Sequence, residues 1–353
     1  LAGDNQLPKH GSSSEPLAPA LRIVSIGGGT GLSALLHGLK AYVDVYGAGN
    51  PAKPAVDITA VVTVSDDGGS SGRLRREFDV LPPGDIRNCL VALSEDETLL
   101  SRLFRYRFES GRGLKGHSFG NLFLTALTHI TGDFPDAVKE CADVLAIKGR
   151  IYPSTAAHVS LEAVLDTGRR VLGETKISRS RRRIEKVRLR PRRCRPLPET
   201  LAAIGQADVI TFGPGSLFTS VVPNVLVEGI PEAIRRSPAI KAYFVNLMWQ
   251  PGETTNFTAS DHIEAIHRHA GGKLLDYAVV NTREIGPALR RRYAREHSAP
   301  VENDFDKIGD MGVNVVCGDL VQRSGLVRHN SSAIAAIAVE LAREGRRRRQ
   351  MSR

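Results

Sequence analysis

Apolar positions fall into two kinds of run along this chain. Residues 21–26 are a short β-branched stretch that ends in Gly27-Gly28-Gly29, and residues 58–64 (ITAVVTV) are almost wholly apolar. Similar runs occupy 207–212, 242–247, 277–281 and 313–317. Runs that are apolar at nearly every position suit strands covered on both faces, as in a parallel sheet. Between them the spacing changes to a helical period. Residues 31–42 place Leu32, Leu35, Leu36 and Leu39 on one face, and 120–130 do the same with Leu122, Phe123, Ala126, Leu127 and Ile130. Residues 135–145 open with a proline suited to a first helical turn. Thr258 followed by Asp261 predicts a capped helix over 261–270. Strands alternating with helices predict an α/β fold: a Rossmann-like, doubly wound, mostly parallel sheet.

One region departs from this alternation. Residues 170–177 and 184–189 read as a small β excursion, and 190–198, with three prolines and no period, read as a connector. The arginine-rich stretch 179–195 is therefore expected to be a loop projecting from one α/β domain spanning 21–342. The polar residues 1–20 are read as a disordered arm, and 343–353 as a basic tail.

Charge alters this picture only after it is located. The net charge is +10 over 353 residues, but 179–195 alone carry about +9 and 343–353 about +5. The remaining body is mildly acidic, near −4. Basic excess confined to short blocks, with no recognition motif beside it, argues against nucleic acid as a partner. No run approaches the roughly 18 apolar residues of a membrane span. Cys89, Cys141, Cys194 and Cys317 form no CxxC pair, so disulfide staples and zinc ribbons are not expected, and a reduced cytoplasm is the simple reading.

Chemistry concentrates where strands run into glycine-rich loops. Gly27-Gly28-Gly29-Thr30-Gly31 allows close approach of backbone to a phosphate, and the following helix offers unpaired N–H groups. It is not the dinucleotide fingerprint, which would require glycine at Leu32. The loop 65–73 carries adjacent carboxylates, Asp66 and Asp67. These could hold Mg²⁺ or ligand hydroxyls, or cap a helix beside a turn. Arg73, Arg75 and Arg76 follow, at least one of them a candidate to face a phosphate. Asp85 and Asn88 in 82–88, and His117 and Asn121 in 116–121, are further ligand candidates, although Asn121 reads equally well as a helix cap. No GxSxG elbow accompanies His117, which argues against a serine hydrolase. Gly213-Pro214-Gly215-Ser216 repeats the design at another strand end. His262, His267 and His269 do not match HExxH and read as exposed positions of an amphipathic helix.

The ordered set IGGGTGL (26–32), TVSDDGGSSGRLRR (63–76), PPGDIRN (82–88), GHSFGN (116–121), GPGSLFTS (213–220) and QPGET (250–254) resembles the CofD-like family. Within that family the chain is most similar to the gluconeogenesis-factor (YvcK-type) branch. The resemblance implies a cytoplasmic bacterial protein that binds a UDP-sugar such as UDP-N-acetylglucosamine. It also implies a regulatory role in growth on gluconeogenic carbon sources and in cell shape. It further places Tyr293 and Arg328 at the sugar nucleotide. The enzymatic members of the family transfer a phospho-acid from a nucleotide donor to a deazaflavin alcohol, like a 2-phospho-L-lactate transferase. Their metal is held by a strand-end aspartate, here Asp66 or Asp67. That activity is the alternative, with Mg²⁺ as its cofactor. No tightly bound organic cofactor is expected, and assembly into a homo-oligomer is left open.

Overall fold

The computed structural model describes residues 19–43, 55–95, 99–322 and 325–351. Most of the segment read as a disordered arm, residues 1–18, lies outside them. Seven strands form one sheet: β1 (Leu21–Gly27), β2 (Val56–Val62), β3 (Arg150–Pro153), β7 (Val209–Phe212), β8 (Ile240–Phe244), β9 (Tyr277–Asn281) and β10 (Asn314–Gly318). Their order is β10-β9-β8-β7-β1-β2-β3, and every pairing is parallel. The chain winds outward from β1 to β2 and β3, then returns to β1's other side with β7 and winds outward again. β1 and β7 therefore flank the point where the winding direction reverses, and such a crevice is where doubly wound sheets bind ligands. The six apolar runs all lie on strands of this sheet. Burial explains their lack of alternation: all four residues of β7, and all but Arg22 in β1, are buried.

The β excursion is real but larger than expected. β4 (Ser160–Leu165), β5 (Arg170–Leu172) and β6 (Ile184–Arg190) make an antiparallel sheet in the order β5-β4-β6. The second half of the segment read as its first strand is instead a short helix, Glu174–Arg179. The middle of the arginine-rich stretch, 184–190, is thus β6, whose Ile184, Val187 and Leu189 face the core while its basic residues alternate outward. β4 escaped notice because it is short and carries Glu162, whose burial is explained by a bidentate pair with Arg190 at 2.9 Å.

Residues read as a basic tail continue the last helix, Ser331–Met351. The Arg346 guanidinium pairs with Asp208 at 2.5 Å, and Arg349 approaches the same carboxylate at 3.6 Å. Asp208 is 2% exposed, so the helix end is tied to the start of β7 by a buried carboxylate.

The histidines also differ from expectation. The helix Ala259–Ala270 starts with the expected capping box, Thr258 and Asp261 each satisfying the other's backbone N–H. Yet His262 and His269 are buried, His267 is half-buried, and burial pushes both His262 and His269 down to about 4. As a neutral ring His262 bonds the Thr258 carbonyl through Nδ1 at 2.7 Å, and its Nε2 is buried without a partner. His269 Nδ1 donates to the Ala265 carbonyl at 2.7 Å and Nε2 accepts from the Val187 N–H at 3.0 Å. His269 is therefore the bolt between this helix and β6.

Candidate functional site

At the carboxyl edge of the sheet, loops that follow β1, β7 and β8 enclose a cavity of about 1040 Å³. Gly28, Gly29, Thr30 and Gly31 line one side, and Pro214, Gly215 and Ser216 line the other. The two loops meet closely: a Cβ on Gly31 would lie 2.3 Å from the Pro214 carbonyl oxygen. Only glycine permits that approach. Gly29 adopts φ +63°, which turns the chain from β1 into the helix Gly29–Lys40. That helix has no side-chain cap, and its first turn faces the cavity. Across the crevice, Ser216 leads into a π-helical turn, Leu217–Val221, in which the Val221 N–H donates to Ser216 O at 3.0 Å. The wider turn presents Thr219 and Ser220 to the cavity. Ser216 does not cap it. Its hydroxyl accepts from Gln250 Nε2 at 2.7 Å, tying the β7 loop to the β8 loop.

Charge is divided across the cavity. Asp85, Glu174 and Glu253 form one group, and Arg87, Arg105, Arg107 and Arg328 also reach the lining. Burial pushes Asp85 up to about 7, with the Asp66 charge adding to it and a hydrogen bond from the Gly29 amide opposing it. Glu174 is pushed up to about 9 by burial and then by Asp66, Asp85, Glu253 and Asp67. Glu253 rises to about 7 by burial alone, although the Ser178 hydroxyl donates to it at 3.2 Å. On the basic side, burial lowers Arg87, and the neighbouring Arg107 charge lowers it further. Perturbed groups of both signs around one cleft mark a functional site.

Tyr293 and Arg328 reach the same cavity from the last third of the chain. The Tyr293 hydroxyl accepts from the Val327 N–H at 3.1 Å, which fixes the segment beside Arg328. Next to it, His329 donates from Nε2 to Val245 O at 3.2 Å, and burial pushes it down to about 4, so it is neutral. Asn88 completes the set of sequence candidates that the structure brings together here.

Other candidates lie outside the lining. Gly27 and Gly213 end their strands behind the loops they feed. Asp67 Oδ1 accepts from both the Thr175 N–H at 2.8 Å and the Thr175 hydroxyl at 2.7 Å, clamping the β2 loop to the helix Glu174–Arg179. Asp66 accepts from the Gly68 N–H at 2.8 Å, and burial raises it. The adjacent aspartates thus turn to different partners. Among the described residues, no group of three or more His, Cys, Asp or Glu side chains is placed to hold a metal. His117 is buried and shares a hydrogen bond with the Ser70 hydroxyl at 3.0 Å. Ser118 caps the helix Phe119–Thr131, accepting from the Asn121 N–H, while buried Asn121 Oδ1 has no partner. Of the arginines after the β2 loop, Arg73 donates to Lys115 O and Arg75 to Val159 O.

Several lining residues carried little warning in the sequence. Arg87 and Gln250 sat inside quoted motifs, so the signal was present. Glu174, Arg107, Asn246 and Trp249 lie in no glycine-rich turn and reach the cavity only through tertiary packing.

Residues 23–321 match the family model described as 2-phospho-L-lactate transferase CofD. The chain belongs to the CofD family. A Bacillus subtilis relative named gluconeogenesis factor is 46% identical over 92% of this chain and 98% of its own length. A Halalkalibacterium halodurans relative of the same name is 46% identical over 90% of this chain and 95% of its own. A crystal structure from Bacillus halodurans superposes with a TM-score of 0.85 at 45% identity, covering 92% of this chain and 99% of that one. The family match takes in both glycine loops and the seven strands almost entirely, so these belong to the shared CofD-family fold. Among the described residues no single helix is long and apolar enough to cross a membrane.

Proposed function

We propose that this chain is a gluconeogenesis factor: a regulatory protein that binds a nucleotide sugar of the UDP-N-acetylglucosamine type in the crevice between β1 and β7. The observation that carries this reading is the divided cavity at the reversal point of the sheet. Its volume, about 1040 Å³, suits a ligand of nucleotide-sugar size. Backbone amides of the loop after β1 and the guanidiniums of Arg87, Arg107 and Arg328 supply donors for a diphosphate. Asp85, Glu174 and Glu253 supply acceptors for sugar hydroxyls. Tyr293 offers a ring for a base and positions the Arg328 segment. The names of relatives that match nearly end to end support the regulatory role in gluconeogenic growth; the role in cell shape is part of the proposal.

A second reading is favoured by one observation: Asp66 and Asp85 influence each other's charge beside the phosphate loop, with Asp85 Oδ2 packed against Gly28. Mg²⁺ typically takes one or two carboxylates together with substrate phosphates. Asp66 and Asp85 fit that pattern, whereas Asp67 is spent on Thr175. A Mg²⁺ ion held there would neutralise charge building on a transferred phospho-group. The chain's own part in such a transfer would be to orient the donor through Arg87 and the glycine loop, with Asp85 giving up its proton to serve as a ligand.

The two readings separate by calorimetry and product analysis. Purified protein is titrated with UDP-N-acetylglucosamine, then incubated with a GDP-activated phospho-acid and a deazaflavin acceptor, with and without Mg²⁺. Saturable sugar-nucleotide binding that drops about tenfold or more in Tyr293→Ala and Arg328→Ala, without product, supports the regulator. Mg²⁺-dependent product that disappears in Asp66→Asn would establish the transferase instead.

A further inference from the structure

Glu253 also borders a second cavity, of about 410 Å³, on the far side of the turn that follows β8. We propose that this cavity is a binding site for a small phosphorylated metabolite, held by Arg181, Arg182 and Arg183 against Phe257 and Asn256. The three arginines occupy the turn between the helix Glu174–Arg179 and β6, and all three line the cavity. Among the described residues none of their guanidiniums is paired with a carboxylate. Three adjacent cations without counter-charge repel one another, and a phosphate removes that repulsion through charge-assisted, bidentate bonds.

The carboxylates that share the cavity do not fill that role. Asp261 Oδ2 accepts from the Thr258 N–H at 2.9 Å within its capping box. Glu253 accepts from Ser178 through one oxygen, and its other oxygen is buried without a partner. Burial pushes Glu253 up to about 7, so at neutral pH part of the population is protonated and carries no charge to oppose an anion.

The walls are built rather than incidental. Gly252, at φ +85°, packs so closely that a Cβ would lie 2.7 Å from Ser178 O and 3.2 Å from the Arg181 backbone. This locks the β8 turn against the arginine turn. Arg181 (φ +50°) and Asn256 (φ +62°), facing the cavity from the two turns, both adopt left-handed backbone. For Arg that conformation is costly, and such strain gathers at ligand clamps. The Arg183 guanidinium lies 5.8 Å from the centroid of the Phe257 ring, which is itself packed edge-on to Phe218. A planar cation held over an anchored ring keeps its orientation before a ligand arrives. A volume of about 410 Å³ accommodates a phosphorylated sugar and is too small for a dinucleotide.

This site shares only Glu253 with the lining of the larger cavity, so its test needs no nucleotide sugar. The full chain is titrated by calorimetry with fructose 1,6-bisphosphate, inorganic phosphate and unphosphorylated fructose. One saturable site per chain is expected for the bisphosphate, weaker binding for phosphate and none for fructose. The pair Arg182→Gln/Arg183→Gln should weaken the bisphosphate at least about tenfold. The pair Arg192→Gln/Arg193→Gln removes the same charge from the exposed connector outside the cavity and should leave affinity unchanged. Circular dichroism confirms that both pairs fold. Absence of saturable binding, or equal loss from both pairs, overturns the proposal, the latter by showing diffuse charge attraction. Competition by UDP-N-acetylglucosamine, or tighter binding of a short oligonucleotide lost with Arg182 and Arg183, overturns it too.

Discussion

The loops after β1 and β2 look alike in sequence, each a strand running into glycines and polar groups, yet the structure gives them different work. The β1 loop faces the cavity along its length and is pressed against the β7 loop at Gly31. The β2 loop turns its carboxylates inward, Asp67 onto Thr175 and Asp66 toward Asp85. One loop supplies a surface, the other braces that surface and sets its charge. The lesson is that a strand-end acid is not a ligand merely by position. What its oxygens already accept decides how much is left for a ligand.

The largest expected effect tests the first half of this contrast. Gly31→Ala places a methyl 2.3 Å from Pro214 O, so the loops must separate. A cost of about 1–3 kcal/mol in stability is expected, with loss of UDP-sugar binding in calorimetry. Gly69 in the β2 loop has nothing within 4 Å of its Cβ position, and its strain is only that of φ +47°. Gly69→Ala should therefore keep ligand affinity. Equal affinity losses in both variants would erase the distinction between surface and brace.

Next in size is the clamp. Asp67→Ala strips Thr175 of a doubly used acceptor and should lower stability by about 1–3 kcal/mol in urea unfolding. Asp66→Asn should leave the fold intact and shift the titration of Asp85 downward, because a neighbouring negative charge is gone. The Asp85 carboxyl resonance followed by NMR against pH reads this directly. An unmoved titration would show that the two acids do not sense each other.

How far the sequence discloses such differences depends on the range of the interaction. The parallel sheet was legible because strands buried on both faces leave unbroken apolar runs, as β2 and β7 do. The glycine loops were legible because close approach forbids a side chain at Gly31. Charge was misleading for the opposite reason. Arg346 and Arg349 in the supposed tail find Asp208, well over a hundred residues away in sequence, and become part of the core's edge. His262 and His269 looked exposed because polarity suggested it, while His269 bonds backbone through both ring nitrogens, to Ala265 and Val187, and His262 through Nδ1 to Thr258 O. Glu174 sits beside the phosphate loop only because the β excursion folds back over the β2 loop. No local pattern encodes such a return.

The smallest effect sharpens the comparison through pH. Asp85 belongs to the cavity, and burial raises it from 3.8 to about 7. Between those values the folded chain holds a proton that the unfolded chain has released. Folding is favoured where that proton is held, so the Asp85 contribution to stability declines as pH rises through this window and levels off above it, while Glu174 extends the decline to about 9. Glu253 adds a decline in the same direction between 4.5 and about 7. Asp85→Asn removes the ionisable group while keeping an oxygen to accept from Gly29. Its Tm should exceed that of the parent by a few degrees at about pH 8, and the gap should close toward about pH 4. An Asp85→Asn offset that stays constant across the range would mean Asp85 is ionised in the folded chain throughout. Asp85 would then add its charge to the cavity's acidic wall at every pH tested, and it would repel a diphosphate placed beside it.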